Sequence, residues 1–240
     1  MNHNMENQTS PLAIITGGGT GLGLAAGLEL RQRGWRVLAL GLDTEPELEG
    51  SGIEFQKADV TDAALFEALA ERHPRVDMLV NAAGIILHDE REFGMDGFRK
   101  VIDVNLHGTQ LACLSLRASL ARAGGSIVNY ASMWSYFGSG RNPAYSASKG
   151  AVVSLTRSLA VAFAVDGVRV NAVAPGWIET RMSTRAFSDP QRATPILNRI
   201  PAARWGRPAE VAKAVAFLGS ADAGYITGVV LPVDGGYSIA

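Results

Sequence analysis

The sequence predicts a single α/β domain built on a doubly wound parallel sheet of about seven strands flanked by helices. Three observations carry this. The candidate strands, such as PLAIIT and VRVNAVAPG, are nearly continuous in apolar residues, as strands covered on both faces must be. Strand-like and helix-like segments alternate along the whole chain. The first strand runs directly into a glycine-rich turn, residues 16–23, that opens a helical pattern.

Taken in order, residues 11–16 form the first strand, and a helix follows to Arg33, closed by Gly34. Residues 35–41 are the second strand and 52–58 the third. A helix capped by Thr61 then runs to about His73. Residues 77–84 make the fourth strand, ending in Asn81-Ala82-Ala83-Gly84. One long helix is expected from about Met95 to Ala121, leading to the fifth strand at 126–132. Asn142 as cap and Pro143 at the first helical position start a helix that reaches about Val165 and closes at Asp166-Gly167. Residues 168–176 form a sixth strand. An irregular stretch with a short helix near 191–199, a helix at 208–220 and a last strand at 229–236 complete the sheet. No linker or repeat divides the chain, so residues 11–240 are read as one domain behind a flexible tail, residues 1–10.

Composition narrows the function. Nearly half the 240 residues are hydrophobic, enough for a sizeable core, and the net charge is −1 with scattered Lys and Arg. Neither a nucleic-acid surface nor an anionic membrane is expected as partner. No apolar run is read as a membrane span, and the polar start lacks the apolar centre of a secretion signal. Cys113 is the only cysteine, read as a small buried hydrophobe, and a reducing cytoplasm suits it. The four histidines show no metal-ligand spacing, so no metal is expected.

Two local patterns carry chemistry. Residues 16–23 read Thr-Gly-Gly-Gly-Thr-Gly-Leu-Gly. Such a strand-to-helix turn presents backbone N–H groups and a positive helix end to a pyrophosphate. The Gly-x-x-x-Gly-x-Gly spacing differs from the commoner Gly-x-Gly-x-x-Gly. The second pattern is Tyr145 and Lys149, four apart and therefore on one helix face. A cation there favours phenolate, lowering a tyrosine pKa that starts near ~10. Alone, that pair also fits an ordinary helix.

Together TGGGTGLG, NAAG, Ser132, YSASK and APG resemble the short-chain dehydrogenase/reductase family, over essentially the whole chain from Pro11 to VDGG. The resemblance implies a Rossmann-type fold with a dinucleotide cofactor. Residues 199–208, RIPAARWGRP, and the segment before them are similar to sugar-acid dehydrogenases of the 2-deoxy-gluconate 3-dehydrogenase type. It further implies Tyr145 as general acid/base, Lys149 as its partner and a ligand of the nicotinamide ribose, and Ser132 as the group that holds the substrate oxygen. Asn105 would hold a relay water, although a buried amide satisfying backbone groups is its other reading. Cofactor contacts would come from Gly17, Gly19, Thr20, Gly21, Leu22, Gly23, Leu42, Asp43, Asp59, Val60, Asn81, Ala82, Ala83, Gly84, Pro175, Gly176, Trp177, Ile178 and Thr180. Ala82 departs from the family, where a second asparagine is usual.

Cofactor choice rests on the end of the second strand, where Gly41 takes the place of the usual acidic residue and Asp43 follows two residues later. With Asp43, Glu45 and Glu47 nearby and no Arg or Lys from 41 to 49, NAD is expected over NADP. On the substrate side stand Ser132, Trp134, Arg141 and Trp177, with His88, Arg91 and Arg181 near them in the loops. The expected activity is interconversion of a secondary alcohol and a ketone by hydride transfer, on a sugar acid or polyol. An NADPH-dependent carbonyl or 3-oxoacyl-carrier-protein reductase and a non-catalytic dinucleotide sensor or scaffold are the alternatives. The resemblance also implies a homotetramer.

Overall fold

The computed structural model describes residues 10–240; positions 1–9 of the expected tail lie outside the described residues. Seven strands, β1 (Leu12–Thr16), β2 (Arg36–Gly41), β3 (Glu54–Lys57), β4 (Met78–Asn81), β5 (Ser126–Tyr130), β6 (Arg169–Pro175) and β7 (Val230–Val233), form one sheet. Their order is β3-β2-β1-β4-β5-β6-β7, and every neighbouring pair is parallel. The chain moves outward from β1 to β3 and then crosses to β4. The strand order therefore reverses between β1 and β4, where open parallel sheets bind their ligands.

The helices are α1 (Gly21–Gln32), α2 (Ala63–Arg72), α3 (Met95–Ile102), α4 (Gly108–Ser115), α5 (Arg117–Ala121), α6 (Pro143–Phe163), α7 (Thr184–Phe187), α8 (Pro190–Arg199) and α9 (Pro208–Gly219). β1 shows why its sequence is apolar throughout. Leu12 and Ile14 enter one cluster with Phe66, Leu116 and Phe163, while Ala13 and Ile15 enter the opposite cluster with Leu30 and Val215. Both faces are core.

Several boundaries differ from the expected ones, each for a local reason. The long helix from Met95 to Ala121 is three helices: a π-turn at Asp103–His107 separates α3 from α4, and Leu116 breaks α4 from α5. At that wider turn the Thr109 hydroxyl donates to the Asn105 carbonyl at 2.8 Å. Asp62, not Thr61, caps α2 by accepting from the Ala64 N–H, because the Thr61 hydroxyl donates to Asp59 instead. Asn142 precedes α6 but its side chain does not cap it; that amide donates to the Leu87 carbonyl. β4 stops at Asn81, and α7 forms in the irregular stretch after β6. Contrary to expectation, residues 143–166 are long and apolar enough to cross a membrane by length and composition. They serve instead as a core helix, with Val152, Leu159 and Phe163 buried.

Most polar side-chain atoms inside the sheet are partnered, Asn81 Oδ1 being an exception among the described residues. Asn81 and Asn129, opposite each other on β4 and β5, share a 2.9 Å hydrogen bond, and Asn129 accepts no isolation on its other side: its amide donates to Thr156 Oγ1 at 3.0 Å. Cys113 accepts from the Asn81 amide, and burial pushes its thiol up to about 12. Phe66 is wholly buried at the α2–sheet contact. Phe66→Ala is expected to destabilise the chain by about 3–5 kcal/mol, read as a lower denaturant midpoint with an unchanged slope.

Candidate active site

The carboxyl ends of β1, β4, β5 and β6 bring together turns that lie far apart in sequence. After β1, Gly17 adopts φ +66°, and a Cβ on it would lie 2.7 Å from the Ala83 backbone beyond β4. Only glycine permits both. A Cβ on Gly23 would lie only 2.2 Å from the Gly17 carbonyl oxygen, so the turn folds flat against α1. Thr20 makes no side-chain cap, and the Gly21 N–H donates to Glu45 Oε2 at 3.0 Å. The start of α1 is thus a bare backbone cradle that already accepts a carboxylate oxygen, which fits a dinucleotide pyrophosphate.

β5 delivers Ser132, which is buried and begins a 3₁₀ turn. Its Oγ accepts from the Trp134 N–H at 3.2 Å, and its own N–H donates to Ser135 Oγ at 3.2 Å, so the hydroxyl is fixed in place. It stands close enough to the Tyr145 phenol to draw that group's pKa down. One turn along α6, Lys149 is buried with its Nζ 5.7 Å from the Tyr145 ring centroid, and it donates to the Tyr130 carbonyl at 2.6 Å. A Cβ on Gly84 would sit 3.4 Å from Asn105 Oδ1 and 3.5 Å from Lys149 Nζ. Ser132, Tyr145, Lys149 and Asn105 therefore surround one space at the end of β4 and β5.

The electrostatics run against one expectation. Lys149 was expected to lower the Tyr145 pKa; instead burial pushes the phenol up to about 12, against a smaller downward pull from Ser132. Burial also draws Lys149 down to about 8. Each group is desolvated, and the ammonium spends its charge on the Tyr130 carbonyl.

Asn105 lies on the π-turn, wholly buried. Its Oδ1 accepts from the Ile85 N–H at 2.8 Å, and its amide donates to the Ile85 carbonyl and to Ser148 Oγ, each at 3.0 Å. It clamps the strand-β4 loop to α6, in the manner of its second reading. Ser148, which also donates to the Tyr145 carbonyl at 2.7 Å, carries no sequence signal beyond its place in YSASK.

The remaining candidates sort by place. Asn81 points into the core, as above, while Ala82 and Ala83 carry their backbone to Thr16, whose carbonyl and hydroxyl accept at 3.1 and 3.3 Å. Val60 is buried against Gly108. Asp59 is exposed and held by the Thr61 N–H and hydroxyl, which lower its pKa. Leu42 is exposed, and the Asp43 carbonyl oxygen packs on Gly19. Pro175 ends β6, Gly176 packs on Asp234, Ile178 is buried, and Thr180 Oγ1 shares a hydrogen bond with Ser183 Oγ. Trp134 and Trp177 meet edge to face at 6.0 Å, and Trp177 meets Trp205 likewise at 6.2 Å. The buried Trp177 Nε1 has no partner among the described residues. Arg91 and Arg141 are exposed, and His88 is half-buried. Arg181 crosses from the segment after β6 to Asp43, 2.7 Å away, with Glu45 at 3.8 Å.

Comparison with known proteins agrees with this fold. A family model described as enoyl-(acyl carrier protein) reductase matches residues 17–238. Galactitol 2-dehydrogenase (L-tagatose-forming) of Cereibacter sphaeroides is 40% identical, covering 95% of this chain and 94% of that protein. The 2-dehydro-3-deoxy-D-gluconate 5-dehydrogenase of Dickeya dadantii is 34% identical, covering 98% of each. A solved structure from Beutenbergia cavernae, assigned as an NAD(P)-dependent gluconate 5-dehydrogenase with NADP bound at low occupancy, superposes with a TM-score of 0.88. It is 39% identical and covers 96% of this chain and 97% of that one. Gly23→Ala, which forces a methyl group onto the Gly17 carbonyl, is expected to destabilise the chain by about 1–3 kcal/mol. It should also abolish the thermal-shift response to added dinucleotide.

Proposed function

We propose that this chain, which belongs to the short-chain dehydrogenase/reductase family, interconverts a secondary alcohol and a ketone on a sugar acid or polyol, with NAD as the preferred cofactor. The single observation that carries the chemistry is Lys149, buried one helical turn from Tyr145 with its Nζ 5.7 Å from that ring, beside a buried Ser132 that draws the phenol's pKa down. The nicotinamide supplies the hydride acceptor when bound. The backbone of Gly17–Gly23 and the start of α1 would hold its pyrophosphate, and Lys149 its ribose.

The residues divide the remaining work. Tyr145 Oη takes the proton of the substrate hydroxyl, and Ser132 Oγ holds that oxygen as it becomes a carbonyl. A phenol held near 12 is a strong base once ionised and a weak acid otherwise. Lys149, still mainly protonated at neutral pH, keeps a cation one helical turn from the phenol. In the reduction direction the same groups act in reverse, Tyr145 returning the proton. Trp134, Trp177 and Trp205 offer ring edges and faces to the carbon skeleton, and the unpartnered Trp177 Nε1 offers a donor to a hydroxyl or carboxylate.

NAD is supported by Glu45, whose carboxylate accepts from the Gly21 N–H, and by Asp43, whose backbone packs on Gly19; two such acids would repel a 2′-phosphate. Arg181 favours a second reading. It brings to Asp43 a cation from 138 residues away, the kind of group that pairs a 2′-phosphate in NADP. Assembly into a homotetramer is supported by the exposed apolar side chains of Leu114, Val161 and Val165, and the buried lone Cys113 suits a reducing cytoplasm.

Tyr145→Phe is expected to lower kcat by about 10²-fold or more while NADH still quenches protein fluorescence; Lys149→Ala should impair both. A screen of sugar acids, polyols and cyclic alcohols by NADH absorbance identifies the substrate. With that substrate, NADH should exceed NADPH by about tenfold or more in kcat/KM, about 1.4 kcal/mol. Equal use of the two, lost in Arg181→Ala for NADPH alone, establishes the second reading instead.

A further inference from the structure

We infer that Glu92 is a positioning residue for the acid/base chemistry proposed above: it locks the Tyr145 end of α6 to the loop after β4 and places a buried negative charge at the start of the helix that carries Tyr145. Glu92 has no solvent exposure at all, yet it sits in a three-residue 3₁₀ turn on an otherwise exposed loop. Its Oε2 accepts the backbone N–H of Tyr145 itself at 2.9 Å. Its Oε1 accepts the Leu87 N–H at 2.8 Å and the Asn142 amide at 3.3 Å.

This explains the start of α6. Asn142 gives up the capping role, Pro143 has no N–H to donate, and the orphan N–H of Tyr145 is satisfied from 53 residues away. An acceptor at that position is worth more as an anion, because the first turn of α6 carries the positive end of its dipole. Asp89 and Glu90, both non-glycine residues with φ near +60°, bend the chain so that Glu92 can turn inward. Left-handed backbone at two successive residues of this kind is unfavourable and persists where other contacts over-determine it. Three hydrogen bonds to a buried carboxylate are such contacts.

The charge acts on Tyr145 in a known direction. A nearby carboxylate disfavours phenolate, and Glu92, bonded to the Tyr145 backbone, adds a smaller upward push to the displacement that burial causes. On α6, Lys149 stands with its Nζ 5.7 Å from the Tyr145 ring centroid. From the loop after β4, His88 faces Glu92 and lies in the field of Asp89, Arg185 and Arg192. Arg91 beside it, Asp96, Arg99 and Lys100 on α3, and Arg141 before α6 are all exposed and therefore screened. Glu92 is the buried anion of this set.

The test is the pH profile of alcohol oxidation, which follows Tyr145 ionisation, measured as kcat/KM for Glu92→Gln. Removing the charge makes phenolate easier to form, so the rising limb is expected to move to lower pH by about half a unit or more. Glu92→Asp keeps the charge but shortens the reach; it should keep the wild-type midpoint and lower kcat. A Glu92→Gln profile that is unshifted or moved upward overturns the inference. Should Glu92→Gln not fold, Glu92→Asp alone decides: a displaced midpoint overturns the charge role, and an undiminished kcat overturns the positioning role. Tyr145→Phe separates the two levels. An active phenylalanine variant defeats the acid/base assignment itself, whereas an inactive one with an unshifted Glu92→Gln profile defeats only the role of Glu92.

Discussion

Everything at the catalytic edge depends on one close approach, that of Gly17 beyond β1 to Ala83 beyond β4. Parallel strands all end on the same edge of a sheet, so each delivers its following turn to a common side. Where the strand order reverses, the helices before and after the break lie on opposite faces, and a crevice opens between the turns. Its depth is set by how near the two backbones can come. With no room for a Cβ at Gly17, the turns after β1 and β4 touch, and the floor of the crevice is backbone. Against that floor stand Ser132 from β5, the Pro175–Thr180 segment from β6, and Asp43 from β2.

Around the floor, three buried polar side chains are tied to backbone from other parts of the chain. Asn105 holds Ile85, Lys149 holds the Tyr130 carbonyl, and Glu92 holds Leu87 and Tyr145. A buried polar group left unpaired would cost about 1–3 kcal/mol, so these groups resist displacement collectively. The loop after β4, which has no regular hydrogen bonding of its own, is kept in shape by side chains reaching it from α6 and the π-turn. The reacting groups are thus held by neighbours that never need to touch a substrate.

The legibility of these features in the sequence follows from the range of the interaction that creates them. β1, β5 and β6 were readable because burial on both faces demands an unbroken apolar run. The glycine turn and the Tyr145–Lys149 pair were readable because their geometry is set within a few residues. Asn142 looked like a helix cap by every local rule; the cap came from Glu92, and no local rule could see it. The expected single helix from Met95 to Ala121 failed at the π-turn, where Asn105 must reach Ile85. Arg181 lies outside residues 41–49, so a count of charges near Gly41 missed the cation that reaches Asp43. The expected lowering of Tyr145 by Lys149 neglected desolvation, which only the folded surroundings determine.

The paired asparagines of the sheet have a consequence for assembly of the fold. Asn81 and Asn129 face each other in register on β4 and β5, with Thr156 and Cys113 as their remaining partners. Their buried neighbours Leu79, Val80, Ile127 and Val128 are hydrocarbon, which would tolerate sliding. A shift of one residue turns each side chain to the opposite face of the sheet. It would press two amides against aliphatic side chains with nothing to bond. The amides work as a key that admits one alignment of the central strands and rejects its neighbours, so that the edge carrying Asn81–Gly84 and Ser132 is always cut level.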